Sequence, residues 1–446
     1  MTISEISRRA VLGGLGIGAT AGLVGCSNDN GSSQSTPTVS PGSSDQPIEG
    51  AKELTVYCWS NGPTIDDNFK KRVALFNEQY KGRFTAKMNF LPYDQYWQKA
   101  QLQYAAGKPF DIYYWDVQAY AHYKKNLVEN VQPVINTTAL ADTTKFPSAL
   151  FDPWRFDGKN LYAVPENIQS MSLFYNKDHF DAAGLKYPDE TWSWDDVVTA
   201  AGKLKKTSGS KVTQWGLDIG TLGVWWGLQS LSWAAGSSWV DKALEPTKFQ
   251  MTDPATIEAM KFTQDLMWDK HIAPRPEERN ALNQAGANFS SGAISMMCDG
   301  TWAISGYQQM KAKWDMTAIP LWKGKRVAPY WLGGWVIPKK TAAKTAAETF
   351  ATWSATTFQP QMAKNHDWIP ISNEARSSKD MLAGMPAGFA SAFKDIENAK
   401  IGDIYTANMQ EIFNQVFGVN LDDLYFNRKT PEQVAQKIQE MATAKL

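Results

Sequence analysis

In the first third of the chain, segments with the residue types of β-strands alternate with segments whose apolar residues have helical spacing. Three segments rich in β-branched and aromatic side chains predict strands: residues 53–59, 84–91 and 110–115. Between them, apolar side chains recur every three or four positions from Ile65 to Tyr80 and over residues 94–106, which is the spacing of an amphipathic helix. This strand–helix–strand–helix–strand order predicts a parallel sheet with helices on both faces.

Helix-start signals continue this α/β pattern along the rest of the chain. They are the capping pair Ser193 and Asp196 before a helix to Lys206, the run Thr252-Asp253-Pro254, and Thr430-Pro431 with Gln433. Because roughly 400 residues follow the N-terminal region, which is more than one ordinary core accommodates, the sequence predicts two lobes.

A short apolar run near the N-terminus ends in a cysteine. The positive group Ser7-Arg8-Arg9 precedes the uncharged residues 11–25, and the run closes with Leu23-Val24-Gly25-Cys26. A helix of that length extends only about 22 Å, short of the ~30 Å hydrocarbon core of a membrane. The run therefore predicts a cleaved signal peptide over residues 1–25 and lipid modification of Cys26. A plain secretory signal is the alternative, and both the Sec and the twin-arginine export routes stay open.

The residues after this signal predict a tether. Residues 26–50 are rich in Ser, Gly, Pro and Asn, so they cannot bury enough apolar surface to offset the entropy of ordering. We therefore expect the folded part of the protein at the extracellular face of the cytoplasmic membrane, anchored through the lipid on Cys26.

Composition narrows the class of ligand. The 45 basic and 45 acidic residues cancel, which argues against nucleic acid as a partner. The four histidines show no metal-ligand spacing and no cofactor motif is present, so neither a metal nor a cofactor is expected. Two cysteines follow the signal, Cys58 and Cys298, and their pairing stays open. The 19 Trp, 16 Tyr and 20 Phe residues favour a ligand with flat, weakly polar faces.

Six blocks of sequence carry a resemblance to a known family. They are YDQYW (93–97), KPFDIYYWD (108–116), LYAVPENIQSMSLFYNKD (161–178), GLKYPDETWSWDD (184–196), FSSGAISMMCDGTW (289–302) and GGWVIPK (333–339). Together they resemble family 1 extracellular solute-binding proteins, the maltose-binding-protein-like sugar receptors of ABC importers. The resemblance extends from residue 53 to the C-terminus.

The resemblance implies an α/β fold of the two-lobed periplasmic-binding-protein type II class. Each lobe would be a mainly parallel sheet flanked by helices, with the ligand cleft between the lobes. The implied division is residues 51–167 plus 335–368 in lobe 1 and residues 168–334 plus 369–446 in lobe 2, with crossovers near residues 165–168, 332–336 and 366–370. It also implies a monomer that delivers its ligand to ABC transporter permease subunits.

Two arguments nominate ligand-binding residues. Ligands of doubly wound sheets lie beyond the carboxyl ends of the strands. This rule selects residues that follow predicted strands or turns: Trp59, Ser60, Trp115, Asp116, Asp299 and Trp302, and Trp335 after a turn at Gly333 and Gly334. The resemblance implies contacts at Glu166, Asn167 and Gln169 and around Trp302. It leaves five more indoles as cleft residues: Trp225, Trp226, Trp233, Trp331 and Trp368. Because Trp225 and Trp226 are adjacent, we expect one of the two in the cleft.

Sugar binding suits these residue types. A pyranose packs its C–H face on an indole ring, while its hydroxyl groups pair with Asp, Glu and Asn side chains. Structural roles are the alternatives: any one Trp as a core residue, Asp116 and Asp299 as helix caps, and Glu166 as a hinge bond.

The sequence thus predicts a lipid-anchored receptor, not an enzyme, that captures an oligosaccharide by lobe closure for an ABC importer. A secreted glycosidase is one alternative, because Glu166 with Asp299 or Asp116 could supply two facing carboxylates, although no catalytic motif frames them. A binding protein for a non-sugar solute, such as a peptide or a polyamine, is the other.

Overall fold

The computed structural model describes residues 50–60, 62–115, 117–146, 148–366, 368–393 and 399–446. The predicted signal peptide, Cys26, nearly all of the tether and Asp116 lie outside the described residues. Within the described ranges, no helix has both the length and the apolar character needed to cross a membrane.

The first three strands lie where the period of apolar residues predicts them. The strands are β1 (Glu53–Trp59), β2 (Thr85–Leu91), β3 (Ile112–Tyr114), β4 (Val164–Asn176), β5 (Lys206–Ser208), β6 (Lys211–Gln214), β7 (Met296–Gly300), β8 (Trp314–Ala318), β9 (Pro329–Val336) and β10 (Lys400–Ile401).

Helices separate most of these strands. They are α1 (Pro63–Gln79), α2 (Tyr93–Ala105), α3 (Tyr120–Lys124), α4 (Gln132–Ile135), α5 (Lys177–Ala183), α6 (Trp194–Leu204), α7 (Trp225–Ala234), α8 (Pro254–Met267), α9 (Pro276–Gln284), α10 (Ile304–Tyr307), α11 (Lys344–Ala355), α12 (Gln359–Asn365), α13 (Asn373–Arg376), α14 (Lys379–Ala383), α15 (Phe389–Ala392), α16 (Met409–Glu411), α17 (Gly418–Tyr425) and α18 (Pro431–Thr443). A π-helical segment, Ile412–Phe417, joins α16 to α17.

The helix-start signals are confirmed. Ser193 and Asp196 form a capping box at α6, and Thr430 and Gln433 form another at α18. The Asp253 side chain accepts a hydrogen bond at the start of α8. Side chains that satisfy the free N–H groups of the first turn therefore set these three helix starts.

Within the described ranges, eight strands form a mixed sheet in the order β2-β1-β3-β9-β4-β7, with β8 beside β4 and β10 beside β9, and β5 and β6 form a separate two-stranded sheet. β1 runs parallel to β2 and to β3, as predicted. β4 runs antiparallel to β7, β8 and β9. The expected mainly parallel arrangement thus describes β1–β3, whereas the strands around β4 are antiparallel.

β4 extends through both halves of the molecule. Its first residues, from Val164 to Ser170, pair with β9, and its last, from Met171 to Asn176, pair with β7 and β8. A third segment lies alongside, because the Ile168 amide donates to the Ile369 carbonyl at 3.0 Å. The three segments that the resemblance implies as crossovers are therefore neighbours.

Two buried apolar clusters lie around this crossing, and the first also includes Phe174 and Met316 from the β4–β8 pair. The first apolar cluster includes Val56, Ile112, Val336 and Phe350, from β1, β3, β9 and α11. The second apolar cluster includes Leu173, Val197, Leu228, Met260 and Leu424, from β4, α6, α7, α8 and α17. The residue boundaries of the lobes stay a prediction.

Two local predictions are wrong. Gly333 and Gly334 lie inside β9 and not in a turn, because they pair with Asn167 and Pro165 of β4. Asp299 lies inside β7, opposite Ser172, and does not follow the end of a strand. In both cases pairing with the long strand β4 extends a strand beyond its apolar residues.

The two described cysteines are free. Cys58 and Cys298 are both buried and form no disulfide. Burial raises the pKa of both thiols, so neither is activated as a nucleophile.

Candidate functional site

A polar face lies where β4 and β9 pair at the crossing. Asn167 and Gln169 are two positions apart on β4, so their side chains point to the same face of the sheet. Gly333 and Trp331 are their partners on β9. A Cβ at Gly333 would lie 2.0 Å from the Tyr114 hydroxyl, so only glycine leaves room for that hydroxyl here.

Hydrogen bonds link the side chains of this face. The Asn167 amide donates to the Tyr114 hydroxyl, and the Gln169 amide donates to the Asn167 side-chain oxygen at 3.2 Å. The Thr301 hydroxyl donates to the Gln169 side-chain oxygen at 2.7 Å. These hydrogen bonds form a continuous network from Tyr114 on β3 to Thr301, which follows β7. The network fixes the orientations of the two amide groups, so their donors and acceptors point in defined directions.

Three partly exposed indoles lie next to this face and form what we term the indole cluster: Trp226, Trp302 and Trp331. Their ring centroids are 5.1 to 5.8 Å apart and their planes are close to perpendicular. Gly300 and Gly402 support the rings, since a Cβ at either position would lie 2.3 Å from the Trp302 or the Trp331 ring. The rings are therefore rigidly held while part of their surface stays open to solvent.

A second aromatic group lies at the ends of β1 and β3. The Trp59 ring meets Tyr114 at 5.4 Å, and Trp368 meets Tyr114 and Phe69 at 5.0 Å each. Trp59 is partly exposed, whereas Trp368 is buried in the first apolar cluster. Ser60 donates its hydroxyl to Asp66 at 2.5 Å in the first turn of α1.

Three more of the nominated tryptophans lie in the core, as Trp368 does. Trp115 packs on Trp154 at 4.8 Å, Trp225 stacks on Phe417 at 5.2 Å, and Trp335 is fully buried. Of the adjacent pair, Trp226 is the one that joins the exposed indoles. A role for Trp115, Trp225 or Trp335 in ligand contact has no support from their positions.

Glu166 is fully buried beside this site. Its carboxylate pairs with Arg72 at 2.5 Å and accepts hydrogen bonds from Trp335 Nε1 and the Ser354 hydroxyl. Its carbonyl accepts a hydrogen bond from Gln359 at 3.0 Å. The residue sits where the β4–β9 register shifts between Pro165 and Asn167. These contacts favour the structural alternative, in which Glu166 anchors β4 near the crossing.

Asp299 is held by three donors. The Tyr307 hydroxyl donates at 2.7 Å, the Thr221 hydroxyl at 2.9 Å and the Gly300 amide at 2.7 Å. Desolvation raises the pKa of Asp299, although these hydrogen bonds and the nearby Arg279 oppose the shift. The carboxylate orders the turn from β7 into the segment that carries Trp302.

Trp233 lies two helical turns from Trp226 on α7. It lines a separate pocket of about 850 Å³, and Lys400 lies over its ring at 5.7 Å. No group of three or more His, Cys, Asp or Glu side chains suited to a metal ion occurs in the described ranges.

Residue-type reasoning missed Tyr114, Thr301 and Tyr307. All three act through hydroxyl groups that orient Asn167, Gln169 and Asp299. Tyr114 ends β3, so the strand-end rule that selected Trp115 could have found it one position earlier.

The family model for bacterial extracellular solute-binding proteins matches residues 60–357. An arabinooligosaccharide-binding protein of Bacillus subtilis (strain 168) is 24% identical over 422 residues, which cover 87% of this chain and 91% of that protein. A maltooligosaccharide ABC transporter solute-binding lipoprotein of Streptococcus pneumoniae (strain R6) is 23% identical over 383 residues, 84% of this chain and 83% of that protein.

A solved structure has the same fold. The ABC substrate-binding protein Lmo0181 from Listeria monocytogenes, in complex with cycloalternan, superposes with a TM-score of 0.77 at 20% identity. The match covers 88% of this chain and 98% of that one. The α/β fold that the sequence resemblance implies is thereby confirmed.

Proposed function

Because the chain belongs to the bacterial extracellular solute-binding protein family, we propose that it captures an oligosaccharide and delivers it to the permease of an ABC importer. The similar proteins of Bacillus subtilis and Streptococcus pneumoniae are named for arabinooligosaccharides and maltooligosaccharides. Both names support a chain of sugar units as the ligand class.

The indole cluster beside the polar face is the observation that carries this proposal. Trp226, Trp302 and Trp331 offer apolar surface for the C–H faces of pyranose or furanose rings. Asn167 and Gln169 lie next to them with amide groups of fixed orientation, which suits the paired donors and acceptors of sugar hydroxyls. In this proposal, Trp59 and Trp368 form a second aromatic wall of the site, across from the indole cluster.

Acidic groups do not favour a polyamine as the ligand. A polycation requires exposed carboxylates, whereas Glu166 is fully buried against Arg72 and Asp299 accepts three intramolecular hydrogen bonds. The amides of Asn167 and Gln169 and the indole cluster are instead groups that suit a sugar. The proposed site residues are accordingly Trp59, Asn167, Gln169, Trp226, Trp302, Trp331 and Trp368.

The finer parts of the proposal concern location and partners. The protein is a monomer, is anchored outside the cytoplasmic membrane through a lipid on Cys26, and docks on the permease after its lobes close. It hydrolyses nothing, so the sugar leaves the protein unchanged.

Titration of the purified protein with arabino- and malto-oligosaccharides of increasing length tests the proposal. A bound sugar changes the tryptophan fluorescence and, at about 100 times its Kd, stabilises the folded state by about 2.7 kcal/mol. Chromatography of the sugar after incubation should recover it intact. Folded protein with no fluorescence or melting response to any of these sugars would refute carbohydrate binding, and a shortened sugar would identify a glycosidase.

A further inference from the structure

A hairpin over residues 239–250 projects from the half that holds the second apolar cluster. Val240 pairs with Phe249, and the Gln250 amide donates to the Trp239 carbonyl at 2.8 Å. The Asp241 carboxylate accepts hydrogen bonds from the amide and the hydroxyl of Thr247, at 2.9 and 2.6 Å. These bonds close the hairpin into an ordered unit.

The base and the tip of this hairpin belong to different apolar clusters. Trp239 and Phe249, at the base, are buried in the second cluster, whereas Leu244, at the tip, packs against the first. At the tip, the Glu245 amide donates to the Tyr405 carbonyl at 2.8 Å, and the Tyr405 ring is buried in the first cluster. The hairpin therefore joins the two clusters.

Glu245 completes the bridge with its side chain. The carboxylate accepts a hydrogen bond from the Tyr120 hydroxyl at 3.0 Å and forms an ion pair with Lys124, both on the short helix α3. Its φ of 50° is in the left-handed region, which a residue other than glycine adopts where surrounding contacts hold it. None of these groups lies among the proposed sugar contacts.

We propose that the contact of Glu245 with Tyr120 and Lys124 is a clasp that forms when the two halves close, so that Glu245 is a positioning residue for ligand capture. This inference rests on the proposed function. A contact that is present only in the closed arrangement favours that arrangement, and the ligand, which also prefers it, then binds more tightly without touching the clasp.

A double-mutant cycle on sugar affinity tests the clasp with Glu245→Ala, Lys124→Ala and the combined variant. Each single variant should weaken binding roughly two- to fivefold, as for an exposed ion pair, and raise the dissociation rate. The combined variant should bind no more weakly than the weaker single variant, because the second change removes a contact that is already lost. The difference in sugar affinity between each variant and the wild type should shrink in ~1 M salt, because a Debye length of about 3 Å screens the ion pair.

The exposed ion pair of Lys261 and Asp265 within α8 provides the matched control. Lys261→Ala removes a similar surface charge without bridging the halves, so affinity should stay at the wild-type value. Small-angle scattering with bound sugar should show the Glu245→Ala variant more expanded than the wild type. Wild-type affinity in all variants, or effects of the two single changes that simply add, would overturn the clasp, whereas a wild type that binds no sugar would refute the proposed function instead.

Discussion

Trp225 and Trp226 are consecutive on α7, and a helix turns successive side chains by about 100°. Trp225 therefore stacks on Phe417 in the interior while Trp226 meets Trp302 and Trp331. The two residues are of the same type and adjacent in sequence but differ in environment, so a variant at either position serves as the control for the other.

Trp226→Ala should weaken sugar binding by tenfold or more, because truncation of a central aromatic contact commonly costs about 2 kcal/mol. Its melting temperature should change little, since the ring is partly exposed. Trp225→Ala should instead lower the free energy of unfolding by about 3–5 kcal/mol and leave the affinity of the folded fraction unchanged. Isothermal titration and urea unfolding measure both quantities, and the reverse pattern would place Trp225 at the ligand.

His122 predicts a pH dependence of stability. It is buried beside Tyr113, with its Nδ1 atom 2.9 Å from the Tyr113 hydroxyl, and desolvation lowers its pKa to about 4. The unfolded chain, with a histidine pKa near ~6.5, binds the proton first, so stability should fall as the pH drops from about 6.5 to about 4. The loss attributable to this residue is on the order of 3 kcal/mol.

Urea unfolding of the wild type and of His122→Gln at a series of pH values isolates this contribution. The variant should lose less stability over that pH window, because its side chain does not titrate. Equal pH slopes for the two proteins would show that His122 does not bind protons differently in the folded and unfolded states.

At the scale of elements, periodicity predicted β1–β3 and α1–α2 to within about two residues. It did not predict β4 as one long strand. Its buried residues include Asn167, Gln169, Ser170 and Ser172, which interrupt the apolar pattern of a central strand. The polar groups of Asn167, Gln169 and Ser170 are tolerated because partners such as Tyr114 and Thr301 come from distant segments, which local sequence does not reveal.

The buried ion pair of Glu166 with Arg72 predicts a large loss of stability when Glu166 is replaced. Glu166→Ala leaves Arg72 buried without its carboxylate and should lower the free energy of unfolding by about 3–5 kcal/mol. Replacing both residues by Met should recover part of that loss, because no buried charge then remains. Denaturant titration of the three proteins measures this, and a loss of affinity with unchanged stability in Glu166→Ala would restore Glu166 as a sugar contact.

At the scale of the whole molecule, the candidate site combines residues from segments far apart in sequence. The strand-end rule nominated Trp59 and Trp302, and the resemblance nominated Asn167, Gln169 and again Trp302. The rule could not separate Trp115, which turns inward to Trp154, from Tyr114, which turns to the polar face. That choice depends on the pairing of β3 with β9, a long-range contact.

The proposed lipid anchor at Cys26 gives a whole-molecule prediction that is independent of the fold. Cys26→Ala should move the protein from the membrane fraction to the medium or the soluble fraction, because the acyl chains have no other attachment site. Immunoblots of cell fractions measure this, with Ser27→Ala as the matched control that stays on the membrane. A Cys26→Ala protein that remains in the membrane fraction would refute lipid anchoring.

β4 carries Asn167 and Gln169 and is also the strand that continues from one half into the other. A substitution at either of these proposed sugar contacts therefore also changes the strand that joins the two halves. Trp226 stands on α7 and Trp302 follows β7, so these two indoles can be exchanged with less effect on the crossing strands β4 and β9. Descendants of this chain should accordingly acquire new sugar preferences through their tryptophans before their amides.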